Sequence, residues 1–245
     1  GEMTGQALAE RALTHLGENY HWGAQIERKS DWENINYHYS GAWDCAEFVS
    51  KMVHEQYAKY YGIININQIN NLDASVESWS RDATANHWQA VNPLDALKIS
   101  GAILVGNSNG VRHVAISGGD GKSIDARWTD TTHTYDYIEN LRLANIAAGR
   151  SPEVYIDVGD VVHQALNNAK NYAAYLLPNV TYTMNSSSTA TLPAGVENLT
   201  LTGTLNSSGT GNALGNHIVG NTGNNTLNGK EGADVLEGGA GSGLL

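Results

Sequence analysis

The only cysteine of the chain, Cys45, stands in the run Gly41-Ala42-Trp43-Asp44-Cys45-Ala46-Glu47-Phe48, among neighbours that would make a thiol reactive. Asp44 and Glu47 approximate a capping box, and Val49, Met52, Val53 and Tyr57 recur beyond them at helical spacing. The spacing therefore predicts that Cys45 occupies the first turn of a helix. Unpaired amide N–H groups and the positive end of the helix dipole favour thiolate over thiol at such a position, and the thiolate is the form that attacks a carbonyl. A lone cysteine also reads as a small buried hydrophobe, so the chemistry depends on a base. His21, in Tyr20-His21-Trp22-Gly23, is near in sequence, but a loop or surface histidine is the plainer reading there. His113 with Asp125 is the better pair: His113 could take the proton of Cys45 while Asp125 holds the imidazole in one tautomer, the division of roles in any nucleophile, base and orienter set. Taken singly, His113 reads as a capping or core histidine and Asp125 as a solvated strand end.

Elements must bring these residues together. Residues 4–16 read as a first helix, with Leu8, Ala12 and Leu16 on one face and Gly17 as its stop. Residues 25–40 are polar and aromatic, a loop able to form one wall of a cleft, and the alternating Ile and Asn of 63–72 fit an irregular or strand-like excursion. Three strand-like runs follow at 102–106, 113–117 and 123–127, separated by Gly- and Asn-rich turns, as in an antiparallel meander. His113 and Asp125 share a sheet face only if the loop joining their strands has an odd number of residues. A three-residue loop would make them direct or diagonal neighbours. Helix first and sheet second predicts an α+β fold with the cysteine helix packed on the sheet. Residues 160–177 carry Val162, Leu166, Ala169, Ala173 and Leu176 in an amphipathic helical pattern, and 185–189 read as a linker or turn.

Composition divides the chain. Thirteen of its 27 glycines lie in 195–245, where Lys230 is the only Lys or Arg against Glu197, Glu231, Asp234 and Glu237. A net charge of -11 without a basic run argues against nucleic acid or an anionic membrane as partner and leaves cations as the better guess. One cysteine excludes an internal disulfide framework and a thiolate zinc cluster. No apolar run of 18 residues and no signal-peptide pattern is visible, so neither a membrane span nor a cleaved amino-terminal leader is expected. Gly1-Glu2-Met3 reads as a tag remnant before a native start.

In chain order, Leu16-Gly17, Tyr20-His21-Trp22-Gly23, Asp44-Cys45-Ala46, His113-Val114-Ala115-Ile116 and Gly119-Asp120-Gly121-Lys122-Ser123-Ile124-Asp125-Ala126 resemble the NlpC/P60 cysteine-peptidase superfamily over about residues 4–130. The resemblance implies a papain-like α+β domain over 4–150, with Cys45 as nucleophile, His113 as general base and Asp125 as the third polar residue. It places Tyr20 at the substrate or oxyanion, with Trp22 and Asp44 as further substrate-binding residues, and the Cys45 N–H as an oxyanion donor. Where the family commonly has Asp-Cys-Ser-Gly, this chain has Asp44-Cys45-Ala46-Glu47, which removes a hydroxyl that in several members resembles part of a clamp on a free stem-peptide amine. No cofactor is implied for catalysis.

The tail has its own period. Ile218, Leu227, Leu236 and Leu245 are nine residues apart, and Gly223, Gly232 and Gly241 keep the same period four residues earlier. This resembles RTX nonapeptide repeats, with 192–201 as lead-in, and implies a partial β-roll over 191–245 after a helix and linker at 151–190. Such turns bind calcium through hard oxygen ligands. Asp234 fills the acidic slot, while Asn216 and Asn225 stand where Asp would be and Gly243 takes the last, so few and weak calcium sites are expected. A flexible Gly/Asn-rich linker is the plainer alternative. The array stops at Leu245, which reads as truncation.

Together these readings predict a secreted bacterial cysteine hydrolase, exported by type I secretion machinery, that cleaves an amide or peptide bond of peptidoglycan in the extracellular space or the periplasmic wall, with an immunity protein as a possible partner. Two alternatives stay open: a toxin protease or deamidase acting on a host protein or small amide, and a non-catalytic calcium-dependent adhesion or wall-binding protein.

Overall fold

A computed structural model of the chain describes residues 2–22, 43–62, 75–108, 110–152, 154 and 156–245. The expected loop at 25–40 and the Ile/Asn run at 63–72 lie outside the described residues. In chain order the first elements are β1 (Met3–Thr4), α1 (Gly5–Leu13), β2 (Asn19–Tyr20), α2 (Cys45–Tyr61), α3 (Val76–Ala85), β3 (Gln89–Val91), α4 (Pro93–Ala96), β4 (Ile103–Ser108), β5 (Val111–Ser117), β6 (Ser123–Trp128), α5 (Tyr135–Ala147), β7 (Gly159–Gln164) and β8 (Ala173–Leu176). The fold of this part is α+β: helices pack on a seven-stranded sheet of order β2-β7-β6-β5-β4-β8-β3, antiparallel throughout.

Cys45 is the first residue of α2, whose amino-terminal cap is Asp44: its carboxylate accepts the Glu47 N–H at 2.7 Å. Such a cap contributes about 1 kcal/mol. The expected apolar stripe is there, with Val49, Met52 and Val53 inaccessible to solvent, but burial does not stop at the stripe. Lys51, His54, Glu55 and Gln56 are buried as well, so α2 is enclosed rather than amphipathic. Three of its polar side chains are held by partners: Lys51 Nζ and Arg11 Nε of α1 reach the two oxygens of Glu55 at 2.9 and 2.7 Å, and the Trp79 indole donates to Ser50 Oγ at 3.1 Å. A carboxylate buried this deeply persists only with such cationic partners. Helix α1 spans less than the predicted 4–16 because Thr4 caps its start, accepting the Ala7 N–H, and the chain leaves the helix at Thr14.

The meander predicted from three runs is β4, β5 and β6, each longer by a residue or more. Ser117 pairs with Ser123, so the connecting loop is residues 118–122, odd in number but longer than three. Val114, Ala115, Ile116, Ile124, Asp125 and Ala126 are all closed to solvent, so both faces of these strands are covered.

The helix expected at 160–177 is not formed. Residues 159–164 make β7 alongside β6, a short 3-10 turn covers Ala169–Asn171, and 173–176 make β8 between β4 and β3. The sheet needs these strands: without them β4 and β6 would be open edges, and pairing there outweighs the helical preference of an alanine-rich run.

Beyond Leu177 the chain winds into a solenoid of about three turns, through β9 (Val180–Thr181), β10 (Thr183–Ser186), β11 (Ala190–Thr191), β12 (Asn198–Leu201), β13 (Ser208–Thr210), β14 (His217–Val219), β15 (Thr226–Asn228) and β16 (Val235–Glu237). The predicted linker at 185–189 is partly strand β10. Two parallel sheets face each other, β10-β12-β14-β16 and β11-β13-β15. The nine-residue period is the step from one sheet to the other: Ile218 aligns with Leu236 in the first, and Leu227 with Gly209 in the second. The space between is narrow, since a Cβ on Gly209 would lie 3.0 Å from Leu199 and 3.3 Å from Ile218 and Leu227.

The roll is not hung on a tether. Ile99 and Met184 form a bridge, Asn185 N–H donates to Lys98 O at 2.8 Å, and one apolar core runs from Met3 to Leu227 through both parts. Strand β1 closes the join by pairing in parallel with β9, Met3 opposite Val180. At this junction Gly5 is required by contact: a Cβ there would meet Ser100 O at 2.1 Å and the Tyr182 ring at 2.6 Å.

Candidate active site

Cys45 is delivered by the strand-like entry to α2. Trp43 N–H donates to Asn19 O and His21 N–H to Trp43 O, at 2.9 and 3.0 Å, which fixes the chain just before the helix against β2. His113 comes from β5 and Asp125 from β6. Continuing the Ser117–Ser123 register places them on one face, a diagonal step apart. His113 Nε2 lies 2.7 Å from Asp125 Oδ2, and the imidazole lines the same cavity as Cys45, which interacts with it electrostatically. An ionised carboxylate only accepts, so Nε2 carries a proton. The three predicted catalytic residues are therefore contiguous.

Asp125 has no solvent exposure and is held by more than the histidine. Arg127 grips it with Nε to Oδ2 at 2.9 Å and Nη2 to Oδ1 at 3.1 Å, and Ser123 Oγ donates to Oδ1 at 2.6 Å. Burial alone would raise its carboxyl, but His113 and Arg127 more than offset this and hold it at about 2. Burial would lower His113; the hydrogen bonds and charges of Asp125 and Cys45 prevail and hold it at about 10. The base is thus set up to keep a proton next to a nucleophile, the state in which a cysteine and histidine form an ion pair.

Cys45 lines two cavities. The larger, about 630 Å³, is bounded by Tyr20, Trp22, His113, Trp128, Tyr135 and Tyr172. The smaller, about 220 Å³, is bounded by Trp22, Asp44, Ser75, Arg112, Glu139 and Arg142. All three predicted substrate-binding residues face one or both. Tyr20 is pushed well above the ordinary phenol range by burial and then by Cys45 and Asp44, so it remains a hydroxyl donor. Burial raises Asp44 to about 7 against the opposing pull of the Glu47 N–H and Arg112. Trp22 is anchored from α5: its indole donates to Glu139 Oε2 at 2.6 Å and its ring meets Tyr135 edge-on at 5.1 Å. His21 lines neither cavity.

Several site residues were not singled out from the sequence. Arg127 and Ser123 were legible, since Ser123, Asp125 and Arg127 alternate with the apolar Ile124 and Ala126. Trp128, Tyr135, Glu139, Arg142 and Tyr172 carry no local signal, because distant segments fold back to bring them to Cys45.

In the roll, Asp234 Oδ1 accepts the Asn216 N–H at 2.8 Å, while the side-chain oxygens of Asn216 and Asn225 accept the N–H groups of Asn212 and Asn221, each at 2.8 Å. Asp234 is the one carboxylate of the three predicted metal residues and the one suited to calcium. Among the described residues, no three His, Cys, Asp or Glu side chains converge as a metal site of their own, and no helix is long and apolar enough to cross a membrane.

A family model for the RTX calcium-binding nonapeptide repeat (4 copies) matches residues 210–245. Repeats of this class bind calcium and are typical of secreted proteins. No curated protein and no solved structure matches the chain.

Proposed function

We propose that the chain is a secreted bacterial cysteine hydrolase that opens an amide or peptide bond of peptidoglycan, on a papain-like scaffold of the NlpC/P60 kind. The observation that carries the proposal is that Cys45 lines a cleft of about 630 Å³ together with His113, whose imidazole is hydrogen-bonded to the buried Asp125. In the proposed reaction the Cys45 sulfur attacks the scissile carbonyl carbon and a C–S bond forms. His113 protonates the leaving amine as the C–N bond breaks, then takes a proton from the water that cleaves the thioester. The Cys45 N–H at the open end of α2 and the Tyr20 hydroxyl are the donors suited to the oxyanion. Asp125 and Arg127 keep the imidazole in place throughout. The calcium-binding repeats support export, with type I secretion machinery as the route.

Mass spectrometry of purified peptidoglycan fragments incubated with wild type and with Cys45→Ala tests this. New fragments made by the wild type should fall by about a thousandfold or more in the variant, and their masses identify the bond. The net charge of -11 favours a second reading, in which the substrate is a host protein or small amide rather than an anionic wall. That reading predicts unchanged wall fragments together with fast, His113-dependent alkylation of Cys45 by an electrophile. Alkylation no faster than that of free cysteine would leave only a binding or adhesion role.

A further inference from the structure

We infer that calcium is needed only from the Asp234 turn onward, and that asparagine amides take the place of the ion in the two turns below it. The bends at 211–216 and 220–225 each carry an asparagine pair, Asn212 with Asn216 and Asn221 with Asn225. The members of each pair clasp one another: the Asn216 amide donates to Asn212 Oδ1 at 2.9 Å and the Asn225 amide to Asn221 Oδ1 at 2.8 Å. Each pair then reaches down one turn to backbone carbonyls. Asn212 Nδ2 donates to Pro193 O and Val196 O, both at 2.7 Å, and Asn216 Nδ2 to Glu197 O at 2.9 Å. One bend later, Asn221 Nδ2 donates to Thr202 O and Leu205 O, both at 3.0 Å, and Asn225 Nδ2 to Ser207 O at 2.9 Å.

Calcium between successive turns needs lone pairs converging on it, six to eight oxygens in all. Here the carbonyls that face the gap are already accepting N–H groups, and the amide nitrogens stand in the space with their hydrogens turned toward those carbonyls. An ion and these amides exclude each other. Asn216 and Asn225 are buried to 2% and 1% exposure, so water does not compete for their donors. In the next bend Lys230 and Asp234 occupy the equivalent positions, and in the one after it Gly239 and Gly243. None of these four side chains is an amide that can repeat the clasp, and Asp234 is the first of these paired bend positions to carry a full negative charge. The neutral turns therefore form a platform that is complete without metal, and calcium ordering starts on top of it.

Hydrogen exchange on the full chain, in EGTA and in excess calcium, decides this. Peptides from 198–228 should exchange within about twofold of the same rate in both, while those from 229–245 should slow by about tenfold or more with calcium. Protection of 198–228 that is lost in EGTA overturns the inference, and so does an absence of calcium response in 229–245. The double variant Asn216→Asp, Asn225→Asp should move the calcium requirement down the roll, melting earlier than wild type in EGTA and recovering when calcium is added. A variant that melts earlier by the same amount in both conditions would contradict that exchange of roles.

Discussion

The α+β part and the roll both bury polar side chains in quantity, and they satisfy them by opposite means. Around Cys45 the groups are ions in chains built on buried carboxylates: Asp125 with Arg127 and His113 beneath the cleft, Glu55 with Arg11 and Lys51 along the helix. In the roll they are neutral amides that donate and accept at fixed distances from turn to turn. Ions hold one another strongly but titrate, so their geometry is tied to proton position. Amides do not titrate, and a scaffold built from them keeps its form whatever the protonation state. The contrast places titratable order mainly in the α+β part and amide-built order mainly in the roll.

Substitutions can break that contrast in order of size. Asp125→Ala strips the buried counterion from a half-buried arginine and histidine and should destabilise the fold by about 2–3 kcal/mol, read as a clear drop in the melting temperature. An unchanged melt would mean that the carboxylate is dispensable to the site. Asn221→Ala leaves Thr202 O and Leu205 O without their donor and should cost about 1–3 kcal/mol, with alkylation of Cys45 unaffected. Leu245→Ala, at a side chain 67% exposed, should shift stability by less than about 0.5 kcal/mol.

A pH series sharpens the comparison. His113 is held at about 10, above its ordinary 6.5, so the stability it contributes is complete below about pH 6.5 and is lost as pH rises toward 10. Asp125 is held at about 2, below its ordinary 3.8, so its contribution is complete above about pH 4 and is lost as pH falls toward 2. The melting difference between wild type and His113→Gln should accordingly be widest between about pH 4 and 6.5 and narrow above that window. A difference that stays flat up to pH 10 would detach the histidine from its partners.

What was legible in the sequence was local. The cap at Asp44, the position of Cys45 in the first helical turn, and the parity that sets His113 beside Asp125 are all decided within one element or one hairpin. The nine-residue period was legible because each repeat meets the same two sheets. The stretch 160–177 was misread because its apolar residues fit a helical period, while the decision was made by β4 and β6, whose free edges lie far away in sequence. The Asn and Ser of 185–189 looked like linker, yet the facing turns supply enough partners to hold part of it as strand. Trp128, Tyr135 and Arg142 join the cleft only through tertiary folding, and no spacing between them and Cys45 announces it.

The pairing of β1 with β9 has a kinetic meaning. Met3 and Thr4 gain their strand partners only with Val180 and Thr181, and Tyr20 gains its antiparallel partner only with Gly159, while it also bridges Trp43 nearer in sequence. The hairpins of β4, β5 and β6 can close early from nearby residues, whereas these closures join distant parts of the chain and pay the loop entropy last. The segment that leads into the cysteine helix is held from nearer by, through the bridge of Trp43 to Tyr20. His113 and Asp125 are neighbours within one hairpin, whereas Cys45 meets them only through the packing of α2 on β5 and β6, so the cluster exists only in the folded α+β part.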